Sequence, residues 1–264
     1  MRIRPFALMI VIAGLALAQT PVVTTGGIVN GASFVSGQPI TGGSLVSIFG
    51  SNFASAIAGA DTIPLSTSLG GVTVKFVNGN TSTSAPLLFV NSTQINAQVP
   101  WNLVPGGASQ NVNVIVTTGA GSSTPVAVGV GPFSPGIFSI GTLAAAQNVD
   151  GTLAQPSGSI PGRATHPAKI GDTIIIYATG LGAIDSSIAD GDIPQKLTNT
   201  LTIPIVLIGG VSAHVDFSGM SPQFVGVNQL NVVVPNTSPG NAVSLQIQVG
   251  GINSPSSITM AVSQ

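Results

Sequence analysis

The chain has 264 residues, of which 5% are charged, with a formal net charge of −1 and neither Cys nor Glu. That composition excludes a disulfide-stapled fold, a basic surface for nucleic acid, and long solvated helices rich in Glu, Lys and Arg. Apolar residues at 44% also argue against disorder, which needs few apolar groups and much charge, so the 34 Gly and 19 Pro read as turn residues.

The first residues stand apart from the rest. Arg2 and Arg4 open the chain, an apolar run covers 6–17, and Ala16-Leu17-Ala18 is a small-x-small cleavage site. This pattern predicts a secretory signal peptide over 1–18, cleaved near Ala18, and hence a secreted, extracellular or cell-surface protein. The run is too short for a membrane span, and no second run of spanning length follows. Residues 19–27 read as a flexible lead-in. Beyond them, short runs of Val, Ile and Thr bounded by Gly, Pro, Asn and Ser predict β-strands.

These strands come in two series. Residues 31–43 read as strand and turn. GGSLVSIFGSNFA at 42–54 is then a glycine turn, a short strand and a second turn, and GDTIIIYATGLG at 171–182 echoes it. Val46 and Ile48 share a face with Ser47 opposite; Ile174 and Ile176 take the matching places, and Phe53 answers Leu181. Leu69-Gly70-Gly71-Val72 pairs off with Ile208-Gly209-Gly210-Val211. QINAQVP at 94–100 matches QLNVVVP at 229–235. Alternation across a strand puts Ile95, Ala97 and Val99 on one face, and Leu230, Val232 and Val234 on its counterpart. Pro-Gly at 105–106 and at 239–240 turns the chain into further alternating runs, Val112-Val114-Val116 and Val243-Leu245-Ile247-Val249. Last strands carry Val126, Val128 and Val130 in one series, Ile258, Met260 and Val262 in the other. A slip of one residue would turn any of these sets to solvent, yet the phase agrees throughout. Two modules follow, 28–136 and 137–264, each of about 110 residues and roughly seven strands, the size of an immunoglobulin-like sandwich.

At these residues a family resemblance becomes specific. GGSLVSIFGSNFA, a Gly-Gly-Val strand and QINAQVP resemble the IPT/TIG class of immunoglobulin-like domains. FSPGIFS at 133–139, HPAKIGDTIIIYATGLG at 166–182 and QFVGVNQLNVVVP at 223–235 resemble the Solibacter-type C-terminal domain of secreted bacterial proteins. The resemblance spans about 28–262. It implies an all-β chain of two tandem immunoglobulin-like (IPT/TIG-like) β-sandwiches working outside the cell, and it carries over no catalytic residue. Such pairs usually end longer proteins; here the pair is expected to follow directly on the signal.

Candidate chemistry is sparse. His166 and His214 are the two possible general bases near neutral pH. His166 precedes Pro167 in an expected turn, and His214 shares a strand face with Asp216, but no Gly-x-Ser-x-Gly elbow supplies a nucleophile. Gly180-Leu181-Gly182 lacks the third glycine and the helix of a dinucleotide site. Asp185, Asp190 and Asp192 lie in a Gly-containing loop and are weak candidates for Ca²⁺, though a solvated loop explains them as well. Trp101 is the one candidate ligand contact, as a platform for a sugar, against a packing role at a sandwich corner.

The sequence therefore reads as an exported, non-enzymatic binding or scaffold protein making protein or glycan contacts. The alternative is a secreted hydrolase or a carbohydrate-binding accessory protein using His214, Asp216 or Trp101. Self-association is expected through sheet edges, because the runs 111–117 and 242–249 carry neither charge nor Pro to protect them if they lie at an edge.

Overall fold

Apolar alternation between glycine turns builds strands throughout the computed structural model, which describes residues 19–104 and 108–264. The expected signal peptide and the Pro105-Gly106 turn lie outside the described residues. Among those described, every regular element is a strand, and no helix is long and apolar enough to cross a membrane.

The first sandwich opens with β1 (Val22–Asn30) and β2 (Leu45–Ser51). It continues through β3 (Val72–Asn78), β4 (Thr81–Ser84), β5 (Leu87–Val90) and β6 (Gln94–Gln98), and closes with β7 (Gln110–Thr118) and β8 (Val126–Val130). One sheet runs β1-β2-β6-β5, and the other runs β8-β7-β3-β4, all antiparallel. The facing apolar side chains form one buried cluster, with Val46, Ile48, Phe76, Ile95 and Val114 fully enclosed. Each such side chain contributes about 1.5–3 kcal/mol when buried, which lets the unit stand without a disulfide.

The second sandwich repeats the plan with β9 (Ala146–Asn148), β10 (Thr173–Thr179), β11 (Ile205–Ile208) and β12 (Val211–Met220), followed by β13 (Asn228–Val233), β14 (Gly240–Val249) and β15 (Thr259–Ser263). Its core draws on Ile137 through Val262 and forms a second cluster. Val46 opposes Ala97 across β2 and β6, as Ile174 opposes Val232 across β10 and β13. The aligned alternation of the sequence is thus the alignment of these strands.

The two sandwiches differ in how the chain passes between sheets. In the first, β4 pairs with β3, and β5 pairs with β6 in the opposite sheet. Ala85-Pro86 makes the crossing: Ala85 N still donates to Val74 O, while Pro86, having no N–H, only accepts from Gln98 N. In the second, β12 alone does both. Its start pairs with β11, its remainder pairs with β13, and an irregularity between Val215 and Phe217 lets it bend.

This topology corrects several expectations. Residues 22–27 are not lead-in: β1 starts at Val22, pairs with Ser51 and Gly50 before an irregularity, and buries Val23. Residues 31–43 form turns with a single parallel bridge from Ile40 to Val130, because four glycines and a proline interrupt any ladder. The two Gly-Gly turns at 70–71 and 209–210 are not equivalent. Val74 pairs with Val116 as Val206 pairs with Ile247, so β3 matches β11, and the glycines sit at opposite ends of these strands. Both are tight hairpins with φ of +56° and +78°, and +60° and +79°, so their local sequences look alike for a shared reason. Finally, runs 111–117 and 242–249 are not edges. β7 lies between β3 and β8, and β14 lies between β11 and β15. Their amides and carbonyls are already paired, which is why they need no charge.

A candidate functional site at the seam between the sandwiches

Polar side chains that break the repeat fasten the two units together. Gln98 stands where QLNVVVP has Val233, and its buried side chain spans the seam: Nε2 donates to Gly43 O at 3.3 Å, and Oε1 accepts from Gly191 N at 2.6 Å. Thr179, fully buried at the end of β10, accepts from Leu45 N at 3.0 Å and donates to Gly226 O at 2.7 Å. Asn30 ends β1 with Nδ2 donating to Ser134 O at 2.7 Å, while its Oδ1 caps Ala32 N and Ser33 N. Leu65 N donates to Gly191 O at 2.8 Å. Buried groups satisfied in this way hold one relative orientation, because breaking any of them strands a donor or acceptor out of water.

Two clefts open along this seam. The more polar, about 540 Å³, is walled by Trp101, Phe133, Thr41 and Asn102 together with Asp185 and Ser186 of the loop 183–199. Trp101 is placed by Gly42-Gly43: its ring lies against Gly43, where a Cβ would come within 2.3 Å of it, and Gly43 has φ +76°. The Trp101 amide donates to Asp190 Oδ1 at 2.8 Å, so the loop of the second unit is tied to the residue of the first. Trp101 Nε1 and Thr41 Oγ1 are buried in the cleft wall with no hydrogen-bond partner. The second cleft, about 740 Å³, is largely apolar, with Leu45, Ile63 and Leu65 from the first unit and Tyr177, Phe224 and Val225 from the second. Tyr177 and Phe224 meet edge-on, with centroids 5.9 Å apart.

The acidic residues singled out in the sequence do not converge. Asp185 accepts from Asn199 N at 2.9 Å and from Asn199 Nδ2 at 2.7 Å, and these bonds hold its carboxyl below the ordinary value. Asp190 serves Trp101, and Asp192 Oδ1 accepts from Ile193 N at 2.8 Å. Among the described residues, no group of three His, Asp, Cys or Glu side chains could hold a metal ion. One residue from the calcium set, Asp185, and the sugar candidate Trp101 nevertheless line the same cleft.

His166 is not in a turn but in the short strand Thr165–His166, paired in parallel with Leu153–Ala154. Its Nε2 lies 2.9 Å from Asp150 Oδ2 and its Nδ1 lies 2.8 Å from Pro167 O. Both of these neighbours are acceptors that favour a protonated ring, and its pKa rises, first through the Pro167 carbonyl and then through Asp150. The Asp150 carboxyl falls to about 2, first through the amide of Thr152 and next through His166. His214 Nε2 and Asp216 Oδ1 are 3.3 Å apart on a largely exposed face of β12, as the shared strand face predicts.

Sequence reasoning passed over Gln98, Thr179, Asn30 and the Asp150–His166 pair. The signal for Gln98 was present as the one Gln-for-Val mismatch in the best-matched repeat, and a polar residue where the twin is apolar marks a position with a partner elsewhere.

No curated protein matches the chain. Among solved structures, the full extracellular region of plexin A4 aligns over 92% of this chain at 12% identity and a TM-score of 0.27, and this chain covers 18% of that one. The C-terminal domain of the Streptococcus agalactiae AgI/II polypeptide BspA aligns over 92% of this chain and 100% of its own, at 8% identity and a TM-score of 0.21. Residues 32–128 match the IPT/TIG domain family, so an IPT/TIG immunoglobulin-like domain is present in the first sandwich.

Proposed function

We propose that the chain is an exported, non-enzymatic binding or scaffold protein whose two immunoglobulin-like modules, 28–136 and 137–264, act as one body and bind glycan through the seam. Residues 1–18 would serve as its leader, and the Solibacter-type pairing would describe the two modules together. The observation that carries this reading is the polar cleft, which Trp101, Asp185 and Ser186 line together. Sugars present apolar C–H faces and rims of hydroxyls, so a ring beside fixed acceptors and donors suits them. The presence of an IPT/TIG domain supports a binding role over a catalytic one. The test is a glycan array probed with the full chain, Trp101→Ala and Trp101→Phe, each first checked for fold by far-ultraviolet circular dichroism. Binding that is lost in the alanine variant and kept in the phenylalanine variant supports the reading; an array without a hit, or binding indifferent to Trp101→Ala, overturns it.

A further inference from the structure

The apolar cleft calls for a different occupant. Its walls come from both units, and Leu45 in the first unit's wall is tied to the second by its amide donating to Thr179, which favours a preformed cleft. At its rim, Ile63 and Phe224 are about half exposed, at 48% and 49%. The one carboxylate lining it, Asp61, forms no ion pair among the described residues.

A matching surface lies on the same chain. In the segment 196–205, Leu201 and Thr202 lie in an exposed bend, and Ile203 and Ile205 flank the buried Pro204 as the chain enters β11, so the last two share a face. Leu201, Ile203 and Ile205 are exposed at 65%, 72% and 49%, and Leu197 just before them at 73%. Four large apolar side chains exposed within nine residues form a patch of the kind that marks an interaction surface. Lys196 precedes them, exposed and free of any ion pair among the described residues.

We propose that the apolar cleft of one molecule takes the 196–205 segment of a second copy of this chain, with Ile203 and its neighbours entering between Ile63 and Phe224 and with Lys196 near Asp61. Apolar strip meets apolar cleft, and the charge beside each is opposite in sign. The contact is heterologous, since two different surfaces of the same chain meet, and it replaces sheet-edge pairing as the route to self-association. It uses the apolar cleft, although Thr202 of the docking segment also lines the polar cleft.

The experiment is analytical ultracentrifugation of the full chain and of two variants, Phe224→Asp in the cleft and Ile203→Asp in the segment. Both positions are exposed, and circular dichroism verifies that each variant folds; Ile63→Asp and Leu201→Asp replace either one that does not. The unmodified chain should associate as its concentration rises. Each variant alone should associate at least about tenfold more weakly, the loss of one well-buried apolar contact. An equimolar mixture should recover association, because the intact cleft of one variant meets the intact segment of the other. A chain that stays monomeric at high concentration, variants that associate as before, or a mixture no better than its components would each overturn the proposal.

Discussion

Thr179→Val probes the seam with almost no change of shape. Valine keeps both branches at Cβ and removes the oxygen that accepts from Leu45 N and donates to Gly226 O, at 3.0 and 2.7 Å. Thr179 and Gly226 are buried and Leu45 is 9% exposed, so water does not readily replace the lost partner. A buried backbone donor and acceptor left unsatisfied cost about 1–3 kcal/mol each. The added apolar methyl returns about 0.8 kcal/mol. The net loss is about 1–5 kcal/mol, and a central value near 3 kcal/mol is roughly a hundredfold in the folding equilibrium. Thr179→Ser is the control, because it keeps both hydrogen bonds and removes one methyl, a loss of about 1 kcal/mol. Urea titrations followed by circular dichroism measure both. If the valine variant unfolds at the same urea concentration as the serine variant, the Thr179 hydroxyl does not hold the seam and the account above is wrong.

Two further outcomes test other parts of the molecule. The His166 imidazole should titrate above its ordinary 6.5 in nuclear magnetic resonance spectra, and Asp150→Asn should lower that value while leaving the Pro167 contribution. The signs follow from the two directions: stability from the raised His166 is full below 6.5 and is lost as pH climbs through its folded value, whereas that from Asp150 is full above 3.8 and is lost as pH falls toward about 2. The pair is therefore complete between those ordinary values, and a His166 titration unchanged by Asp150→Asn would refute the assignment. A fragment of residues 137–264 should keep β-structure by circular dichroism, since its core cluster is drawn from its own strands. It should unfold at lower urea than the full chain, having lost the bonds of Thr179 to Leu45 and of Gly191 to Gln98; a fragment as stable as the whole would mean the seam adds nothing.

Much of the fold is written in single-strand alternation. Val46 with Ile48, Ile95 with Ala97 and Val99, and their counterparts in the second unit are buried as their phase requires, because inward and outward faces of a strand are set by local order alone. What lay between the strands was harder to read. The Gly-Gly turns at 70–71 and 209–210 share a backbone requirement, so their likeness reported a hairpin and said nothing about which strands it joined. The uncharged runs at β7 and β14 resembled unprotected edges only while their neighbours were unknown. Site residues were the least legible. Trp101 drew notice by its chemistry, but Asp190, in a loop far along the chain, reaches it only through the packing of one unit on the other. Gln98 and Thr179 contribute to no local pattern, since their partners Gly191 and Leu45 are remote in sequence.

The position of Trp101 has an optical consequence. It is the only tryptophan in the chain, and its ring lies on Gly43 at the seam rather than inside either core. Indole fluorescence therefore reads the docking of one sandwich on the other, while the far-ultraviolet signal reads the strands themselves. Where the two curves separate along a denaturant titration, the gap measures the free energy with which the halves hold together, in the native chain and without an added label.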